Sequence, residues 1–241
     1  MKGCWASGLG NCGGGISREH LVSESVFPNQ SIYVQGMDWC LDAPKLIRIE
    51  SLTAKVLCKD HNSLLSELDA TAGRAFNVTI PEFVDTTTQR SHMPYLPWAP
   101  KYFTIDGPTL ERWCLKTLLN FAFNRELKIG PGSHTPGVVP GELARIAFGL
   151  EGFSQGCGLY IAFKEGETFH LEHRFGYTAK AQDTHLVMSA FHLYGFRFYL
   201  NLFPKVAPYT RIEDSQVFYR RAHFAQRIGA QFSHQLSISR P

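Results

Sequence analysis

Apolar residues recur at three- and four-residue spacing in two long segments of the chain, residues 63–76 and residues 109–126. This is the period of an amphipathic helix, so we predict a helix in each segment and a shorter one at residues 141–148. Apolar runs bounded by turn residues predict strands instead. The strands predicted in this way cover residues 16–22, 31–36, 45–49, 52–57, 159–163, 168–177, 185–194 and 196–203.

Prolines are concentrated between residues 86 and 108, at positions 94, 97, 100 and 108. Proline cannot continue a helix interior or a central strand, so this segment is predicted to be a linker. It divides the chain into an N-terminal module, residues 1–90, and a C-terminal module, residues 91–241. The mixture of elements predicts an α+β protein whose second module is a small antiparallel sheet with helices.

The composition is that of a globular protein, with 44% hydrophobic and 19% charged residues among 241. No run of eighteen apolar residues is present, which argues against a membrane span. The first residues lack the apolar segment of a signal peptide, so a cytoplasmic location is expected. In that reducing compartment the six cysteines are expected to be metal ligands or buried thiols rather than disulfides.

Charge is distributed unevenly along the chain. Residues 1–90 hold 8 Lys and Arg against 10 Asp and Glu, a net charge of −2, whereas residues 91–241 hold 16 against 11, a net charge of +5. If a polyanion such as nucleic acid binds, the second module is expected to supply much of the electrostatic attraction.

The spacing Cys58-x-x-His61 is that of a zinc knuckle, in which two ligands hold one ion from a tight turn. Cys4 and Cys12, on a glycine-rich loop, would complete a tetrahedral site with a structural zinc ion. Cys40 is an alternative to either of them. The competing interpretation is that these cysteines are unrelated buried thiols.

A second group of residues has the chemistry of phosphodiester hydrolysis, which needs a base for water and a divalent cation for the phosphate charge. His20 fits the base, Asn62 offers an amide oxygen, and Glu19 and Asp69 offer carboxylates. Glu19 and His20 point to opposite sides of a regular strand, so both serve one centre only if the strand ends or bulges there. Whether Glu19 or Asp69 binds the cation is left open. Asn62 could instead cap the following helix.

Two segments together resemble the HNH (His-Me finger, ββα-metal) endonuclease superfamily, in its zinc-knuckle branch. They are SREHLVSES, residues 17–25, and LCKDHNSLLSELD, residues 57–69. The resemblance covers about residues 1–76. It implies a β-hairpin followed by a helix, held by a four-ligand zinc ion. It also implies that His20 is the general base and that Glu19 and Asn62 bind Mg²⁺ or Mn²⁺. Residues 31–50 resemble a ribbon inserted into that hairpin.

These observations predict a metal-dependent endonuclease, acting on DNA, whose second module binds substrate or forms a homodimer. The alternative is a non-catalytic zinc-binding module that recruits nucleic acid or a protein partner. A third possibility is a defence or toxin effector whose second module senses a partner.

Overall fold

The computed structural model describes residues 3–93, 99–130, 135–164, 174–182, 185–203, 215–219, 222–228 and 232–239. These residues contain both helices and strands, as the sequence predicts. The helices are α1 (Lys59–Leu64), α2 (Ser66–Arg74), α3 (Ile80–His92), α4 (Gly107–Asn124) and α5 (Gly141–Ala147). The strands are β1 (Ile16–His20), β2 (Ser31–Gln35), β3 (Lys45–Arg48), β4 (Thr53–Cys58), β5 (Tyr102–Asp106), β6 (Lys128–Ile129), β7 (Gly158–Lys164), β8 (Arg174–Gln182), β9 (His185–Leu193), β10 (Phe196–Asn201), β11 (Ser215–Tyr219), β12 (Ala222–Ile228) and β13 (Phe232–Ser239).

Three sheets organise the described residues. β1 and β4 form a two-stranded antiparallel sheet, which α1 follows directly. The largest sheet has eight strands in the order β11-β7-β10-β9-β8-β2-β3, with β6 also paired to β9. It is mixed rather than purely antiparallel, because β2 pairs with β8, and β6 with β9, in parallel. The inserted ribbon β2–β3 therefore extends the sheet of the C-terminal segment, which the sequence did not predict.

The helical segment after the predicted knuckle is longer than the predicted helix of residues 63–76. It begins at Lys59, with Cys58 as the residue before its first turn, and a break at Leu65 separates α1 from α2. A π-helical turn, Ala75–Thr79, joins α2 to α3. Asn62 consequently lies inside α1, so the interpretation of Asn62 as a helix cap is wrong.

The prediction of a linker at residues 86–108 is wrong for the parts that the structure describes. α3 continues to His92, because the first proline of the segment is Pro94. β5 alternates buried and exposed residues and pairs in parallel with β13, which lies far away in sequence. Pro108 stands in the first turn of α4, where proline favours helix initiation because no backbone N–H is needed there.

α4 lies at the centre of the molecule. Asp106 caps it by accepting a hydrogen bond from the Thr109 backbone N–H, and Trp113 and Leu118 are completely buried along its length. One apolar core includes residues from both predicted modules. The division into modules at residue 90 therefore stays a prediction. Within the described residues, no helix combines the length and the apolar character that crossing a membrane requires.

Candidate metal centre and active site

Four side chains converge where the N-terminal loop meets the end of β4 and the first turn of α1. They are Cys4, Cys12, Cys58 and His61, and their ligand atoms all lie within 4.8 Å of one another. Cys4, Cys58 and His61 are buried, and Cys12 is partly exposed. This group could hold a metal ion, as the knuckle spacing predicts. Cys40 lies in the turn after β2 and is not part of the group, so the alternative that includes it is wrong.

Three sulfur–nitrogen distances agree with a tetrahedral metal site. The Sγ atoms of Cys58, Cys4 and Cys12 lie 3.2, 3.5 and 3.6 Å from His61 Nδ1. Zinc bound to sulfur at about 2.3 Å and to nitrogen at about 2.0 Å, at the tetrahedral angle, separates the two ligand atoms by about 3.5 Å. A neutral ring nitrogen accepts only one S–H hydrogen bond, so hydrogen bonding does not account for three such contacts. The donor set and its spacing fit a zinc ion.

The surroundings of the group favour the thiolate at Cys58 and oppose it at Cys4. Burial opposes ionisation of Cys58, but hydrogen bonds from the backbone N–H groups of His61 and Gly13 lower its pKa below the ordinary value. Burial raises the pKa of the Cys4 thiol to about 11. Burial lowers the pKa of His61, which keeps its ring neutral and able to donate a lone pair.

Glycines allow the loop with Cys12 to approach the start of α1. A Cβ atom at Gly13 would lie 2.0 Å from Asp60 Oδ2, and one at Gly14 would lie 2.8 Å from Lys59 Cβ. Gly14 also has a φ angle of +66°, a conformation that other residues rarely adopt. The Lys59 backbone N–H donates to the Gly15 carbonyl at 2.9 Å, which fixes the loop against the helix. Substitution at Gly14 would therefore strain the loop that carries Cys12, whereas the exposed Asp60 side chain can turn away from a side chain at Gly13.

Aromatic rings cover the metal-binding group. Phe148, directly after α5, packs edge-on against His61 with ring centroids 5.3 Å apart, and Trp5 packs against Phe148 at 5.9 Å. The Trp5 indole N–H donates to Asn120 Oδ1 on α4 at 2.9 Å. The group therefore ties the N-terminal loop to the hairpin, and the rings tie that assembly to α4 and α5.

A buried ion-paired cluster lies at the other end of β1. Lys116, on α4, is 1% exposed, and its Nζ lies 2.7 Å from Glu19 Oε1 and 2.7 and 2.9 Å from the two oxygens of Asp69. The ammonium group of Lys116 thus contacts three carboxylate oxygens from two residues. Glu19 and Asp69, both predicted as cation ligands, meet in the structure around the side chain of Lys116.

Further hydrogen bonds complete the environment of Asp69. Ser23 donates its hydroxyl to Asp69 Oδ1, and the Trp113 indole N–H donates to Ser23 Oγ at 2.8 Å. Trp113, Lys116 and Asn120 lie three and four residues apart, so they share one face of α4. Asn120 Nδ2 donates to the backbone carbonyl of His20 at 3.3 Å. One polar stripe on α4 therefore holds the end of β1 and the middle of α2.

His20 is the last residue of β1 and pairs with Thr53 of β4. Its Nε2 is shielded from solvent and makes no hydrogen bond to a described residue, and it lies 3.8 Å from Glu24 Oε2. The strand ends here, as a shared centre for Glu19 and His20 would need, and the register shifts between Ser17 and Glu19. Glu19 nevertheless contacts Lys116 while His20 lies beside Glu24.

The sequence predicted Asn62 as a site residue but did not predict Lys116. Asn62 is half-buried on α1, one residue after the ligand His61. Lys116 was not predicted, although a lysine inside the apolar segment Trp113–Phe121 is a signal that a buried partner exists, because an unpaired buried ammonium is very costly. Glu111, on the same helix, is also buried and accepts a hydrogen bond from the Leu159 backbone N–H.

Comparison with known proteins gives no match to a protein family, to a curated protein or to a solved structure. The function proposed below therefore depends on the geometry of this chain and on the resemblance in its sequence.

Proposed function

We propose that the chain is a metal-dependent endonuclease of the HNH type, which hydrolyses phosphodiester bonds, with DNA as the expected substrate. The observation that carries the proposal is the Cys4–Cys12–Cys58–His61 group, which has the donors and spacing of a zinc site. It lies between a two-stranded antiparallel sheet and the helix that follows it, the order of elements that the sequence resemblance implies. With four protein ligands the site is closed, so its zinc ion is structural rather than catalytic.

His20 is the proposed general base. A base must have a nitrogen that can take a proton from water. His20 Nε2 makes no hydrogen bond to a described residue, and although the atom is shielded from solvent, the side chain is 28% exposed, so a water molecule has to enter beside the ring to be activated. Glu24, 3.8 Å away, would stabilise the imidazolium that forms after proton transfer. Asn120 Nδ2 donates to the His20 carbonyl and so holds the backbone of this residue.

The contacts of the two carboxylates favour Glu19 over Asp69 as a ligand of the predicted divalent cation. Both Asp69 oxygens accept hydrogen bonds from Lys116, and one of them also accepts from Ser23, so Asp69 has its donors already. Glu19 uses Oε1 for Lys116, which leaves Oε2 as a ligand atom. Bound Mg²⁺ or Mn²⁺ would neutralise charge on the phosphate. We therefore propose that Glu19 holds this cation, with Asn62 as the second ligand that the sequence resemblance implies, whereas Lys116 and Asp69 position Glu19.

A plasmid-nicking assay tests the proposal. The full-length protein, purified with its zinc, is assayed with added Mg²⁺, with added Mn²⁺ and without added divalent cation. Cleavage should depend on the added cation, and His20→Ala should abolish it while the protein stays folded. The matched control is His92→Ala, because His92 is exposed on α3 and should be dispensable. Full cleavage by folded His20→Ala would overturn the mechanism.

A second candidate function is a non-catalytic zinc-binding module that recruits nucleic acid or a protein partner. Lys116 favours it, because its ammonium already satisfies the carboxylates that a divalent cation would use. This candidate needs Cys58 and His61 but neither His20 nor Asn62. Binding of nucleic acid without cleavage under any of the three metal conditions would support it over the nuclease.

A further inference from the structure

A cavity of about 510 Å³ lies between the turn that joins β2 to β3, the residues before β4 and the end of α4. Its apolar walls are formed by Leu21, Met37, Trp39, Ile47, Leu52 and Phe121. A few polar groups lie among them, including Thr53, Asn124 and Arg125. Cavities of roughly 300–1,000 Å³ with mostly apolar walls and few polar groups are typical of small organic ligands.

Trp39 differs from the other aromatic and aliphatic groups of this cavity. Leu21, Met37, Leu52 and Phe121 are each less than a tenth exposed, whereas Trp39 is 44% exposed. Its backbone is nevertheless fixed, because the Cys40 N–H donates to the Met37 carbonyl at 2.8 Å. A tryptophan that is held by its backbone and nearly half exposed can stack against a flat π-system.

The cavity is next to His20. Thr53, on the cavity wall, is the strand partner of His20, and Leu21 is the residue that follows it. Asn120, which binds the His20 carbonyl, directly precedes Phe121 of the cavity wall. The strand partner and the chain neighbour of the proposed general base thus belong to the cavity wall, although the His20 side chain itself does not. The part of a phosphodiester substrate that is flat, aromatic and adjacent to the phosphate is a nucleobase.

Polar groups at the cavity suit a nucleotide. Arg18 Nε donates to Thr53 Oγ1 at 2.8 Å, which holds a guanidinium group, a preferred partner of phosphate, at the edge of the cavity. Asn124 is exposed at the end of α4, and its amide can both donate to and accept from the edge of a base. Arg125 is paired with Asp38 across the same region. A base in a continuous duplex enters such a site only after it is unstacked and unpaired, which costs free energy, so an unpaired base is the preferred ligand.

We propose that this cavity binds one unpaired nucleobase, stacked on Trp39. The adjacent phosphate would be attacked by the water molecule that His20 activates. The proposal rests on the nuclease function and narrows its substrate. The substrate class is a nucleic acid with an unpaired nucleotide at the cleavage position, either a single strand or a duplex with a bulged base.

Binding of dye-labelled oligonucleotides, measured by fluorescence anisotropy at one fixed salt concentration and without added divalent cation, tests the cavity separately from cleavage. The probes share one sequence and are a single strand, a perfect duplex, a duplex with one bulged base, and the same bulge with an abasic residue. The zinc-loaded full-length protein should bind the single strand and the bulged duplex more tightly than the perfect duplex. Loss of the bulged base should weaken binding about 5- to 150-fold, the range expected for one base stacked on an aromatic ring.

Variants of Trp39 assign that loss to the ring. Trp39→Ala should weaken binding of the bulged duplex by the same factor, should leave the perfect duplex unaffected, and should remove the difference between the bulged base and the abasic residue. Trp39→Phe should restore most of the affinity. The control is Tyr102→Ala, since Tyr102 is 70% exposed on β5, outside the cavity. The abasic probe leaves the protein unaltered, so the test stands even if a variant folds poorly.

The outcomes separate the two proposals. Equal affinity for the bulged and abasic probes, or no effect of a folded Trp39→Ala, overturns the cavity proposal even if plasmid cleavage is intact. Base-dependent binding through Trp39 without cleavage under any metal condition supports the cavity and overturns the nuclease. Absence of binding to all four probes overturns the cavity proposal, while the plasmid-nicking assay decides the nuclease separately.

Discussion

Removal of the Lys116 ammonium is the most direct test of how the end of β1 is held. Lys116→Met keeps the aliphatic length of the side chain but leaves the carboxylates of Glu19 and Asp69 close together without their cation. Breaking a buried ion pair in this way costs about 3–5 kcal/mol. The Asp69 side chain is 26% exposed, and the remaining solvation places the expected loss near the lower end, at about 3 kcal/mol.

Urea unfolding followed by circular dichroism measures this loss, and thermal unfolding gives an independent value. For a domain of this size, about 3 kcal/mol corresponds to a melting temperature lower by roughly 6–12 °C. The control is Lys101→Met, because Lys101 forms an exposed pair with Glu82, with side chains 49% and 54% exposed. An exposed pair contributes about 0–1 kcal/mol, so this control should be nearly neutral.

A compensated variant separates the charge from the packing. Replacing all three ionisable groups, as Lys116→Met with Glu19→Gln and Asp69→Asn, removes the uncompensated charges and should recover most of the stability lost in Lys116→Met alone. The explanation would be refuted if Lys116→Met were no more destabilising than Lys101→Met. It would also be refuted if the triple variant were less stable than the single one, because packing rather than charge would then be responsible.

The remaining predictions concern the metal-binding group. The purified chain should contain one zinc ion by elemental analysis, and Cys58→Ser should lose both the ion and the cooperative unfolding transition, whereas Cys40→Ser should keep them. Zinc affinity, measured by competition with a chromophoric chelator, should rise between about pH 6 and 8, by about tenfold per pH unit for each proton released. Burial raises the pKa of Cys4 to about 11, so its thiol is protonated throughout this range and must lose its proton to bind zinc. An affinity independent of pH would contradict Cys4 as a ligand. Gly14→Ala should weaken zinc binding because of its positive φ and the contact with α1, whereas Gly152→Ala, whose added Cβ meets no atom within 4 Å, should not.

The sequence predicts those parts of the site whose residues are close together in the chain. Cys58 and His61 are one helical turn apart, so their proximity follows from the chain itself. Cys4 and Cys12 reach the same point through a glycine-rich loop, and their order before β1 was enough to select them. The sequence alone does not exclude Cys40 as a ligand. Cys40 lies in the connection between the paired strands β2 and β3, which places it outside the metal-binding group.

The parts that the sequence did not predict depend on contacts between distant residues. Lys116 meets Glu19 and Asp69 across 97 and 47 positions, and no local pattern encodes which carboxylates it meets. β5 is a strand because it pairs with β13, which is distant in sequence. Its short alternating run is by itself a weak signal for a strand. The parallel pairing of β2 with β8 likewise joins segments that lie on either side of the proline-rich region in the sequence.

β1 is held at both ends by different chemistry, and His20, its last residue, lies at the second of these ends. At its first residue, Ile16 is the partner of the metal ligand Cys58, so a bound ion fixes that end of the strand to α1. At its last residues, Lys116 holds the Glu19 side chain and Asn120 holds the His20 carbonyl. A general base must be held to within about half an ångström to act efficiently, so we expect the contacts at both ends of β1 to matter for His20. Loss of zinc and loss of Lys116 should therefore displace the same histidine from opposite ends of one strand.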